Sequence, residues 1–132
     1  MREIALDTQA ATAVAILEDG RVTGRARNDS VRHHAESITP LVRDALAAAG
    51  LPPVLAEAGI DRILVGTGPA PFTGLRSGLV SARVLARVAG VPTYGVCSLD
   101  VIARQGLDLL ARDMRVYAIA DARRRELYWG SY

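Results

Sequence analysis

A glycine-rich turn that opens a helix can present free N–H groups to an anion, and residues Val65 to Arg76, V-G-T-G-P-A-P-F-T-G-L-R, read that way. The apolar run Ile63-Leu64-Val65 meets a turn built from Gly66, Gly68, Pro69 and Pro71. Leu75, Leu79, Ala82, Ala86 and Ala89 then recur at helical spacing, which predicts a strand, a rigid loop and a helix opening near Thr73. Two readings fit: a phosphate site, or a tight strand-to-helix turn with close packing at Gly74 and Gly78. The remaining chemistry-bearing residues are few. Asp7 in Asp7-Thr8-Gln9 can cap backbone N–H groups of its own turn. His33 and His34 are helix neighbours about 100° apart, so they do not chelate one ion together. No H-E-x-x-H, C-x-x-C or G-x-S-x-G occurs, so neither a metal site nor a Ser-His-Asp hydrolase is expected. Arg123-Arg124-Arg125 reads as a solvated turn or as a contact for RNA phosphate.

Composition narrows the choices. Lys and Arg total 16 of 132 residues, and every one is Arg, which removes a P-loop lysine, a Schiff-base lysine and a Ser-Lys dyad. A net charge of +2 neither demands nor excludes nucleic acid. The single Cys97 sits in the apolar run Tyr94-Gly95-Val96-Cys97 and is expected as a buried thiol in a reducing compartment. Arg2 and Glu3 charge the N-terminus at once, and no run approaches the about 18 apolar residues of a bilayer span, so a cytoplasmic protein is expected.

The elements that must position these residues follow from periodicity. Ile4 to Leu6, Thr12 to Leu17 and Arg21 to Ala26 read as strands, with Glu18-Asp19-Gly20 as a hairpin turn. Ile38, Leu41, Val42, Ala45, Leu46 and Ala49 make a helical stripe closed by Gly50. Either Thr39 caps a helix beginning at Pro40, or the helix begins near His34 and bends at Pro40. Ile60 to Val65 forms a fourth strand, Gly90-Val91-Pro92 ends the second helix, and Thr93 to Val96 is a fifth strand. Ser98 reads as the N-cap of a third helix to about Arg112, with Leu99, Ile102, Ala103 and Leu110 inward. The pattern is α/β, with one boundary near Asp113. Arg115 to Asp121 echoes Arg2 to Asp7 at a spacing of 114 residues, and each Asp is followed by a turn and an apolar strand.

The Val65–Arg76 stretch closely resembles the G-x-G-P-G-S-F-T-G-L-R signature of the TsaB (YeaZ) family. It matches at Gly66, Gly68, Pro69, Phe72, Thr73, Gly74, Leu75 and Arg76 and departs at Ala70 and Pro71. Arg2 to Thr8, His34 to Leu46, Gly95 to Leu99 and Asp121 to Tyr128 resemble further landmarks of that family, although Gln9 stands where it usually has Ser. The resemblance implies the actin-like ATPase (ribonuclease H-like) fold, with a five-stranded mixed sheet, three helices and the first hairpin of a second lobe. It divides the chain into a lobe at 1–112 and the start of a truncated second lobe at 113–132, and it favours the helix that begins near His34.

The same resemblance implies a non-catalytic subunit that supports a TsaD-like catalytic partner, with a TsaE-like ATPase, in forming tRNA N6-threonylcarbamoyladenosine. Contact with tRNA would be indirect. The first helix is apolar beyond one stripe through Ala47 and Ala48, and the second through Val80, Val84 and Val88, which points to burial or an interface. The family places an interface there, so the expected contact set is His34, Ile38, Leu41, Val42 and Ala45 with Phe72, Thr73, Leu75, Arg76, Leu79 and Val80. A homodimer through the same helices is expected when the chain is alone. In actin-like ATPases the turn matching Asp7-Thr8 contacts phosphate, so Asp7, Thr8, Gly68 and Asp121 form a vestigial nucleotide-binding set. No cofactor is expected, ATP or ADP binding at most weakly and only in complex with a partner, and an actin-fold ATPase or kinase, or a free-standing dimerisation module, is the alternative.

Overall fold

The computed structural model describes residues 1–30, 34–111 and 113–132, apart from the side chains of His34 and Ala35. Seven strands and three α-helices follow in the order β1 (Arg2–Asp7), β2 (Thr12–Glu18), β3 (Arg21–Asn28), α1 (His34–Ala48), β4 (Arg62–Gly66), α2 (Phe72–Ala89), β5 (Thr93–Val96), α3 (Ser98–Leu107), β6 (Tyr117–Arg123) and β7 (Glu126–Ser131). A short 3-10 turn, Leu55–Glu57, precedes β4. Five strands form one sheet in the order β3-β2-β1-β4-β5, and β6-β7 form a separate two-stranded sheet. The β1–β2 and β2–β3 pairs are antiparallel, while the β1–β4 and β4–β5 pairs are parallel.

Local signals set the ends of these elements. Asp19 and Gly20 both have positive φ, 49° and 78°, which is the turn whose twist matches a tight hairpin. α1 and α2 close alike on left-handed glycines. The Leu51 N–H donates to Leu46 O at 2.9 Å, and Val91 N–H to Ala86 O at 3.0 Å. Pro40 lies inside α1, which starts at His34.

Alternation places Ile4, Leu6, Val14, Ile16, Ile63 and Val65 on one face of the sheet, all buried. α1 lies over β2 and β3, and α2 over β1 and β4. α1 contributes Ile38, Leu41, Val42, Ala45 and Leu46 to this core, and α2 contributes Gly78, Ala82 and Ala86. The opposite face is bare over its centre. There Ala5, Ala13, Ala15 and Leu64 line a cleft of about 900 Å³ walled by Val101, Ile102 and Gln105. The β6–β7 hairpin packs Ala118, Ala120 and Tyr128 on Leu99 and Ala103 of α3, with half-buried Cys97 beside them. Its other face exposes Tyr117, Ile119, Leu127 and Trp129.

Two sequence expectations change in α3. Its N-cap is Cys97, with no side-chain cap, because the Ser98 hydroxyl is engaged elsewhere. The helix ends at Leu107, where Leu109 and Leu110 bond back to Gly106 and Leu107 in tight turns. Leu110 is therefore exposed; Ile102, within the helix, is exposed toward the open cleft, whereas Leu99 and Ala103 are buried as expected.

An ion pair ties the sheet at the start of its strands. Glu3 and Arg62 are direct partners in the parallel β1–β4 ladder, and their side chains bond. Glu3 is only 4% exposed, and Arg62 also stacks 5.7 Å from the Tyr94 ring on β5. Arg62→Met should leave a buried carboxylate without its partner and destabilise the fold by about 2–3 kcal/mol, since Arg62 itself is partly hydrated. Urea denaturation should show most of that loss recovered by Glu3→Leu in the same chain.

Candidate functional site

The signature loop leaves β4 at Gly66 and enters α2 after Pro71. Its carbonyl groups are anchored on both sides. The Ser98 N–H donates to Gly68 O at 2.8 Å, and Gln9 Nε2 donates to Pro69 O at 3.0 Å. The Gly68–Pro69 bond is cis, and Gly68 has φ +82°.

The β1–β2 turn packs into the space that this loop and α2 leave open. Thr8 Oγ1 donates to Gly74 O at 2.8 Å, and a Cβ on Gly78 would stand 2.4 Å from that same hydroxyl. The Asp7 carboxylate accepts from Gln9 N–H at 2.8 Å and from the Ser98 hydroxyl at 3.0 Å. A Cβ on Gly66 would lie 1.9 Å from Asp7 Oδ2, so only glycine admits the carboxylate there. Asp7, Thr8 and Gly68 of the expected nucleotide-binding set thus come together, and hydrogen bonds within the chain engage Asp7 and Thr8. Asp121 lies apart in the β6–β7 sheet, where its carboxylate accepts from Arg123 N–H at 2.7 Å. Asp7 and Asp121 each bond the amide two residues on, so the sequence echo extends to hydrogen bonding. Arg123, Arg124 and Arg125 all take positive φ in that second turn. Among the described residues no group of three His, Cys, Asp or Glu side chains could hold a metal ion.

The second candidate feature is the outer surface of α2. Phe72, Val80, Val84 and Val88 fall on one row spaced by multiples of four, and they are 71%, 59%, 57% and 60% exposed. Arg76 occupies the remaining place in that row, its guanidinium 5.1 Å from the Phe72 ring centroid. Thr73 is exposed, whereas Leu75 and Leu79 are half-buried.

The α1 half of the expected contact set needs correction. Ile38, Leu41, Val42 and Ala45 are 2%, 7%, 4% and 0% exposed. They are the core stripe of a helix with one apolar face, and that face lies on β2 and β3, so a partner cannot reach them. α1 instead presents Thr39, Pro40, Arg43, Asp44, Ala47 and Ala48 outward. The side chain of His34 lies outside the described residues. Sequence reasoning left Arg83 and Arg87 unassigned, yet both are exposed beside the valine row. Their signal was the spacing itself, since each precedes a valine of that row. Ser98 was also read wrongly, because its acceptor Asp7 lies 91 residues away in sequence.

A mixed sheet in the order 3-2-1-4-5, entered through an antiparallel hairpin and layered with two helices on one face, is a lobe of the actin-like (ribonuclease H-like) fold. The family model for TsaD, tRNA N6-adenosine threonylcarbamoyltransferase, matches residues 25–132. The tRNA threonylcarbamoyladenosine biosynthesis protein TsaB of Escherichia coli is 37% identical over 100% of this chain and 55% of its own length. An uncharacterized protein of Mycobacterium tuberculosis is 46% identical over 84% of this chain and 48% of its own. The structure of YeaZ from Pseudomonas aeruginosa superposes with a TM-score of 0.82 at 36% identity, covering 99% of this chain and 59% of that one. The chain belongs to the TsaD family and, within it, to the TsaB (YeaZ) group. It spans about half the length of the curated relatives it matches.

The contact between Thr8 and Gly78 is open to direct test. Gly78→Ala should push α2 away from the β1–β2 turn and cost about 1–3 kcal/mol. Thr8→Ala in the same chain should recover part of that loss, giving a favourable coupling in a double-mutant cycle of thermal unfolding. Strictly additive effects would contradict the contact.

Proposed function

We propose that this chain acts as a non-catalytic partner supporting a TsaD-like catalytic subunit in tRNA N6-threonylcarbamoyladenosine formation, with a TsaE-like ATPase in the same assembly. The supporting observation is the exposed row Phe72, Arg76, Val80, Val84 and Val88 on α2, beside the outer face of α1. An apolar ridge of this length on an outer helix fits burial against another helix layer. Asp7 and Thr8, which could contact a phosphate, are engaged within the chain, so the reading assigns no chemistry to them. Residues that shape the docking face are Phe72, Thr73, Arg76 and Val80, with Val84 and Val88 continuing it, Leu75 lying by Gly68 of the loop and Leu79 holding the helix to the core. The group's name in relatives concerns tRNA modification, and on this reading the chain meets tRNA only through the assembly.

The test is a reconstituted modification assay with the TsaD-like and TsaE-like subunits. Val84→Asp should abolish complex formation and product while leaving the unfolding midpoint near that of the parent, because Val84 is exposed. Arg76→Ala should weaken association by ~1–3 kcal/mol, with little loss of turnover once the complex is saturated. Full modification by the Val84→Asp variant would remove this proposal.

The cleft beside Asp7 favours a second reading, an independent nucleotide-binding ATPase or kinase, since its volume is sufficient for a small ligand. Calorimetric titration decides between the two. We expect no saturable micromolar binding of Mg-ATP to the chain alone, and such binding would favour the second reading.

A further inference from the structure

The α2 ridge carries a charge pattern that its apolar row does not explain. Arg76, Arg83 and Arg87 all project from this helix, and its sequence, F-T-G-L-R-S-G-L-V-S-A-R-V-L-A-R-V-A, contains no carboxylate. None of the three makes an ion pair among the described residues, although five other cations of the chain do. Arg83 and Arg87 stand four apart, so two like charges lie side by side on one surface. Beside them α1 adds Arg43 against Glu36 and Asp44, leaving the two-helix face with four arginines to two carboxylates.

We infer that this face selects a partner helix whose apolar stripe is flanked by carboxylates, and that it disfavours a second copy of this chain. The inference rests on the docking role proposed above and specifies the chemistry of the partner. A symmetric pair through this face would bring eight guanidinium groups against four carboxylates, with no acid on either copy of α2. Desolvating like charges opposes association, whereas carboxylates on a partner would turn the same arginines into charge-assisted, bidentate contacts. The homodimer expected from apolar area alone is therefore a weak state, opposed by repulsion.

The two pairings respond to salt with opposite signs. Sedimentation velocity and fluorescence anisotropy should be run with the intact chain, alone and with the TsaD-like subunit of the same organism, between ~0.05 and ~0.5 M NaCl. Heterologous affinity should fall at least about tenfold across that range, while self-association should strengthen. Arg83→Glu with Arg87→Glu should weaken the heterologous complex at least about tenfold and flatten its salt response, with thermal unfolding unchanged. Val84→Asp separates the possible failures. If Val84→Asp abolishes binding but salt has no effect on the parent, the electrostatic inference is wrong and the docking role stands. If Val84→Asp leaves binding intact, or no complex forms, both are wrong.

Discussion

The hydroxyl of Thr8 occupies the space where any side chain at position 78 would have to go, and much of the molecule's arrangement depends on that approach. Because Gly78 has no Cβ, α2 settles against the β1–β2 turn as well as against the sheet. The buried Ala82 and Ala86 continue the same narrow inner face one and two turns on. With Gly78, Ala82 and Ala86 at its closest inner line, α2 has its valines and arginines turned outward. The exposed valine row is thus the geometric complement of the Gly-Ala-Ala row beneath it. Close packing on one side of the helix and an unpartnered ridge on the other have a single cause.

The β1–β2 turn illustrates how a framework can be kept for structure. Its Asp reaches through the gap at Gly66 to the first residue of α3, and its Thr reaches the first turn of α2. Two helix starts and the signature loop are therefore held by three consecutive side chains, Asp7, Thr8 and Gln9. A turn used this way is rigid and satisfied. Its side chains fix where α2 and α3 begin.

Much of this architecture was legible because its signals are local. Asp19-Gly20, Gly50 and Gly90 specify their turns through backbone conformations that the sequence states directly, and apolar runs marked β1, β2 and β4. The errors share a different origin. Ser98 looked like a cap because Ser before a helical run usually is one, and nothing nearby in sequence announced Asp7. Ile38, Leu41, Val42 and Ala45 were assigned to a partner although α1 has one apolar face and the sheet needed it. Periodicity identifies a buried stripe without saying what buries it. Leu110 was placed inward on a helix that stops short of it, past a glycine where helical propensity falls. Close packing at Gly78 was legible, but Thr8 at Gly78 and Asp7 at Gly66 lie far away in sequence, so only the fold could show what each glycine admits.

The β6–β7 hairpin holds a different position in the molecule from its echo at β1–β2. The first hairpin is flanked by β3 and β4 and roofed by helices. Among the described residues the second pairs with no further strand and rests on α3 by one face, with Tyr117, Ile119, Leu127 and Trp129 exposed. A two-stranded sheet with so little support opens without disturbing the rest. Its amide protons should therefore exchange with solvent through local opening, while those of β1 and β4, bonded on both sides, are released only when the whole sheet unfolds. The chain would then hold two regions of unequal persistence: a sheet that keeps its protons for as long as the fold lasts, and a hairpin that surrenders them early.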